Sequence, residues 1–186
     1  MRFLRFLAFL FCIFFFENNN AQTYAKVNAM ALPFGVFNAG MEAKISNKNT
    51  IETEVFISPW KSFLGHKLQI YSLNVEGRHY LTESFKHFYL GGNLGLAIFD
   101  LQKWNYIDSP KYQRGYTFLI GFTVGYQFQV RENLNLDIFL GGANSQGFYH
   151  GYYIDKGVRY EDGNPWNRSG EWIPYKGGIM VSYKLK

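Results

Sequence analysis

From Tyr116 to Val130 every second residue is large and apolar: Tyr116, Phe118, Ile120, Phe122, Val124, Tyr126, Phe128 and Val130 share one side of a single segment. Apart from Leu119, the residues between them are small or polar: Thr117, Gly121, Thr123, Gly125, Gln127 and Gln129. A period of two means a β-strand whose two faces meet different surroundings. The end of the chain repeats the pattern. There Ile173, Tyr175, Ile179, Val181, Tyr183 and Leu185 fall on one face, and Lys176, Ser182, Lys184 and Lys186 on the other.

Alternation of this kind predicts eight strands, near residues 26–32, 36–45, 51–58, 68–81, 88–101, 116–130, 134–146 and 173–185. The first is the weakest, because its outward side (Val27, Ala29, Ala31) is small. Three connections are tight and polar: Ser46 to Asn49, Thr82 to Ser84, and Arg131 to Asn133. The alternate connections, residues 33–35, 60–67, 102–115 and 147–172, are mostly longer. Short turns at one end and long loops at the other is the layout of bacterial outer-membrane barrels.

Alternation alone does not say which face points inward, since a soluble ligand-binding barrel alternates too, with its apolar face inside. Three features favour the inverted arrangement. Eight strands enclose a lumen only just wide enough for side chains, and this many bulky residues per strand would overfill it. The opposite face is small and polar, as in Gly91, Asn93, Gly95 and Ala97. The charges on that face come in both signs, and confined opposite charges pair with one another. They are Glu42, Lys44, Glu52, Glu54, Glu76, Arg78, Asp137 and Lys176. Of these, Glu42, Glu54, Glu76, Arg78, Asp137 and Lys176 form the expected polar network of a plugged lumen. The aromatic residues, 20% of the chain, then form two interfacial belts. Tyr80, Phe85, Phe88, Tyr126 and Tyr183 lie towards the tight turns; Trp60, Trp104, Tyr106, Tyr116, Trp172 and Tyr175 lie towards the loops.

The start of the chain has a different character. Arg2 and Arg5 precede an unbroken apolar run from Phe6 to Phe16, and Glu17, three asparagines and Ala21 follow. This is the order of a secretory signal peptide, expected to occupy residues 1–21 and to leave a single barrel domain over residues 22–186. Phe11 stands where a lipid-anchored Cys12 would need a small neighbour. The remaining chain has no cysteine, which excludes a disulfide framework and a thiolate metal site. Its positive charge is spread out, without the basic cluster that nucleic acid requires.

Candidate chemistry is sparse. His66 with Ser62, and His150 with Ser145 and Asp155, are the His/Ser/acid sets that a lipid-modifying enzyme would need near the loop end. Neither makes a compact signature, and His79 and His87 fit turn or interfacial roles. Asp155, Glu161 and Asp162 share the longest loop without the spacing of a calcium site. No metal, cofactor or catalytic residue is therefore assigned.

Several segments together resemble a known family: residues 32–42, residues 57–61, Glu76-Gly77-Arg78-His79-Tyr80, Asn135-Leu136-Asp137 and residues 177–186. They are similar to a domain-of-unknown-function family of small outer-membrane β-barrel proteins from Bacteroidota. Asn133 departs from it, standing where a tryptophan commonly follows the turn, as does the non-aromatic end at Lys186. The resemblance implies an outer-membrane barrel and no established activity. The tail Lys176-Gly177-Gly178-Ile179-Met180-Val181-Ser182-Tyr183 also looks like the C-terminal signal by which such barrels are recognised for insertion.

The expectation is an all-β, eight-stranded antiparallel up-and-down transmembrane β-barrel in the outer membrane, non-catalytic, with a structural or surface-recognition role. Its expected partners are outer-membrane lipid, the barrel-assembly machinery through the last strand, and an unidentified loop partner; nucleic acid is not among them. A lipid-modifying enzyme and a soluble secreted barrel holding a small apolar ligand are the alternatives. The face assignment predicts that Val124→Arg lowers stability by about 2–4 kcal/mol in a bilayer, with Thr123→Val far milder. Denaturant titration of the refolded barrel checks both.

Overall fold

Eight antiparallel strands, each paired with its sequence neighbours, return to their start: β1 (Thr23–Asn28), β2 (Phe37–Lys44), β3 (Asn49–Phe63), β4 (His66–Tyr80), β5 (His87–Leu101), β6 (Lys111–Arg131), β7 (Leu134–Tyr153) and β8 (Asn167–Lys184). β1 pairs with β8, with Tyr24 opposite Lys184 and Asn28 opposite Met180, so the sheet is a closed barrel. The computed structural model describes residues 22–103, 108–160 and 166–185. The signal peptide expected over residues 1–21, and Trp104, Tyr106, Glu161, Asp162 and Lys186, lie outside the described residues.

The turns follow from local chemistry. In the β2–β3 turn the Ser46 hydroxyl accepts the Asn49 backbone N–H at 3.2 Å and its side-chain amide at 2.8 Å. Between β3 and β4 the turn is only Leu64-Gly65, with φ of 50° and 87°. That left-handed pair matches the twist of the strands it joins. Residues 60–67, expected as a loop, are therefore mostly strand. The long connections shorten elsewhere too. β6 begins at Lys111, β7 runs on to Tyr153, and β8 begins at Asn167. Backbone pairing continues here although the apolar–polar contrast that reveals a strand in sequence has faded.

The faces agree with the expectation along β5 and β6. Leu94 is 62% exposed and Ile120 60%, whereas Asn93 and Thr123 between them are buried. β8 differs. The register slips at Gly141/Gly142, leaving Tyr175 as an extra residue between Pro174 and Lys176. A bulge of this kind reverses which face each later residue occupies. Trp172 accordingly points outward at 66% exposure, while Ile173 and Tyr175 pack inside against Ala97, Leu119 and Ala143. Ile173 and Tyr175 therefore do not share the outer face of Ile179 and Tyr183, and Tyr175 does not belong to the loop-end belt.

Two residues of the expected tight-turn belt are also internal. Tyr80 is fully buried, and Phe85 is 1% exposed. The β4–β5 turn folds under the barrel and lifts Phe85 into it. Phe85 lies 4.5 Å from the Tyr24 ring and 6.2 Å from that of Tyr80. Ser84 anchors the turn, donating from its hydroxyl to Ser46 O at 2.8 Å. Phe85 and His87 have φ of 68° and 66°, a left-handed conformation unfavourable for bulky residues. Burial of the Phe85 ring offsets that strain. Phe85→Ala removes the stopper and keeps the strained backbone, so a loss of about 3–5 kcal/mol is expected in denaturant titrations.

Candidate functional site in the barrel lumen

Above the aromatic floor of Tyr24, Tyr80, Phe85 and Tyr89, the lumen is filled by ion pairs. Each charged residue comes from an inward position of its strand: Lys26 on β1, Glu42 on β2, Glu52 and Glu54 on β3, Glu76 and Arg78 on β4, Asp137 on β7 and Lys176 on β8. All are at most 9% exposed. The six residues expected from the sequence are brought together, and Lys26 and Glu52 complete the set.

Lys26 is the centre. Its Nζ lies 2.8 Å from Glu42 Oε2, 2.6 Å from Glu52 Oε2 and 2.6 Å from Asp137 Oδ2. Arg78 Nη1 shares the same three oxygens at 3.0, 2.8 and 2.9 Å, and its Nε donates to Glu76 Oε1 at 2.7 Å. Lys176 Nζ bridges Glu54 and Glu76 at 3.0 and 2.9 Å. Neutral hydroxyls supply the remaining donors. Thr50 and Tyr80 donate to Glu42 Oε1 at 2.6 and 2.7 Å. Tyr89 donates to Asp137 Oδ1 at 2.9 Å and Thr123 to Glu76 Oε2 at 2.7 Å. The Tyr89 ring also faces the Arg78 guanidinium at 4.4 Å.

Inner-face glycines make room for these groups. A Cβ at Gly91 would meet the Glu76 carboxyl at 2.7 Å, and one at Gly125 would meet the Tyr89 ring at 2.4 Å. Thr123 is itself part of the network, so Thr123→Val is not the mild substitution that face alone suggests. It would remove one of the donors to the buried Glu76 carboxylate.

Glu42, Glu52 and Asp137 form the one group of three acids, among the described residues, with oxygens close enough to hold a metal ion. The protein's own ammonium and guanidinium groups occupy that position. Lys26 escaped the sequence reading because it stood at the edge of the weakest expected strand. The alternation Tyr24, Lys26, Asn28 was the signal that could have found it.

The His/Ser sets are not assembled. Ser145 faces inward and shares a hydrogen bond with Thr117 at 2.7 Å, whereas His150, of opposite parity on β7, stacks on Trp166 with ring centroids 4.1 Å apart. His66 Nδ1 lies 3.2 Å from Gln102 Oε1. At the tight-turn end His79 meets Asn49 Oδ1 at 2.8 Å and His87 meets Thr82 Oγ1 at 3.1 Å.

An apolar exterior around an ion-paired interior defines a small closed β-barrel with a plugged lower lumen. A family model described as "Protein of unknown function (DUF3575)" matches residues 6–185, and the chain belongs to that family. No curated protein and no solved structure matches it.

Removing the shared cation tests the network directly. Lys26→Met strands three buried carboxylates and is expected to cost about 3–5 kcal/mol. Adding Glu52→Gln should recover part of that loss. Denaturant titrations of the single and double variants measure both.

Proposed function

We propose that this protein is an outer-membrane β-barrel whose role is structural or recognitive rather than catalytic. One observation carries the reading: the residues facing out are apolar and bulky, and those facing in are charged and mutually paired. That is the reverse of a water-soluble barrel and the arrangement a bilayer demands, because only a closed barrel satisfies every strand's backbone groups in hydrocarbon. It also weighs against a small apolar ligand in the lower lumen, which side chains already fill. Outward Phe88, Tyr126 and Tyr183 near the tight turns, and Tyr116 and Trp172 near the loops, fit the two interfaces.

Recognition would fall to the loop-end extension of β6, β7 and β8. There Tyr112 stacks on Tyr152 at 5.4 Å, and Arg114 pairs with Asp100 at 2.6 Å. Lys103 and Glu171 form a further ion pair. Exposed Arg114 and half-buried Tyr152 would present a cation and a ring from this sheet-held extension. The last strand would be the part read by the assembly machinery.

The test is fractionation followed by gel electrophoresis without and with boiling. A band in the outer-membrane fraction that shifts on boiling is the expected outcome. A soluble protein with no shift would overturn the reading.

A further inference from the structure

The tight-turn end of the barrel is not flush. The β4–β5 turn places Ser84 and Phe85 in the mouth, and beside it a recess of about 210 Å³ remains, bordered also by the β6–β7 turn and the end of β8. Sites for drug-sized ligands run from about 300 to 1,000 Å³, so this one suits a group of amino-acid size. Tyr24, Phe85 and Asn135 are its buried wall. Asn135 faces inward on β7 opposite Ser182 of β8. Its Nδ2 donates to Phe85 O at 3.2 Å, whereas its buried Oδ1 has no hydrogen-bond partner among the described residues. A buried acceptor without a donor is costly, and this one belongs to a residue that borders an opening.

The charges around the recess divide into two kinds. Glu83 and Lys86 of the β4–β5 turn satisfy each other at 2.9 Å. Glu132 of the β6–β7 turn and Lys184 of β8 also line the recess, and neither side chain has a partner among the described residues. The backbone holds them at one rim, because the Lys184 N–H donates to Asn133 O at 2.9 Å. The carboxylate and the ammonium nevertheless do not meet. One free anion and one free cation thus border a single small opening, beside an unpartnered amide oxygen.

This balance selects against a simple anion and a simple cation alike, since either would gain one attraction and meet one repulsion. A group carrying both charges gains both attractions. We propose that the recess binds an amino-acid zwitterion, one carbon bearing an ammonium and a carboxylate. Lys184 takes the carboxylate. Glu132 and Asn135 Oδ1 take the ammonium, whose three N–H donors suit separate acceptors.

Where the zwitterion comes from rests on the outer-membrane reading above, which puts the tight turns on the periplasmic side, beside the peptide-linked cell wall. A diamino acid built into a cell-wall peptide keeps such a zwitterion at its free end. Binding it would tether the barrel to the wall. A free amino acid carries the same group, and the test separates the two sources.

The test is isothermal titration calorimetry of the refolded barrel in detergent micelles, each preparation first shown to shift on boiling. Diaminopimelate should bind, and pimelate and cadaverine, which keep only its carboxylates or only its amines, should bind about tenfold more weakly. Lys184→Gln and Glu132→Gln should each weaken diaminopimelate about tenfold, and Lys67→Gln, at the loop end of β4, should leave it unchanged. The tripeptide alanyl-γ-glutamyl-diaminopimelate binding as tightly as the free acid assigns the recess to the cell wall. Binding of the free acid alone supports the zwitterion site and overturns the tether. Equal binding of pimelate or cadaverine, or no heat with diaminopimelate, would overturn the site, while the boiling shift keeps the membrane reading intact. Binding by a protein that needs no detergent and shows no shift would keep the site and overturn the membrane reading.

Discussion

Three buried cations hold five buried carboxylates inside this barrel, and the rest of the structure is arranged around that fact. Lys26, Arg78 and Lys176 cannot neutralise Glu42, Glu52, Glu54, Glu76 and Asp137 one for one. The hydroxyls of Thr50, Tyr80, Tyr89 and Thr123 therefore matter as much as the formal charges. Those of Thr50, Tyr80 and Tyr89 are aimed at carboxylate oxygens that the ion pairs leave free, and that of Thr123 is a second donor to Glu76 Oε2 beside Lys176. Removing two ions from water costs more than their attraction returns unless the remaining lone pairs are also met. The polar residues around the network and the glycines that give them space meet most of that condition, with Glu52 Oε1 and Arg78 Nη2 left without a hydrogen-bond partner.

The lumen is layered along its axis. An aromatic floor seals the tight-turn end, the ion network fills the middle, and a small-residue and aliphatic layer begins at Ala97, Leu119 and Ala143. Above that layer the wall is uneven, low at β1–β2 and tall at β6–β8. The floor and middle are built from buried side chains, and the upper part has unequal sides.

Much of this was legible in the sequence where one face met apolar surroundings and the other a crowded polar interior. β5 and β6 show that contrast over most of their length, and their inner and outer faces agree with it. The contrast fails in three places for different reasons. Along residues 147–153 both faces carry rings and polar groups, so a strand looks like a loop. At Tyr175 one extra residue reverses the parity of β8, and a bulge leaves no mark that a period can detect. In β1 the outward residues are too small to signal a strand, which hid Lys26, whose ammonium is shared by three carboxylates. Tyr80 and Phe85 were misplaced because an aromatic near a strand end suits an interface and a floor equally well, and only the path of the β4–β5 turn decides between them.

The position of Lys26 also has a bearing on how the barrel comes together. It sits on β1, the strand that closes the ring against β8 over a short stretch, and Asp137 lies 111 residues further along the chain. Until β1 docks, three carboxylates from β2, β3 and β7 crowd one another with a single guanidinium among them. Joining the first strand to the last and delivering the missing ammonium are thus one event. A half-zipped ring is penalised electrostatically as well as by its open edges, so the shortest strand supplies both the closing backbone pairing and the last counter-charge.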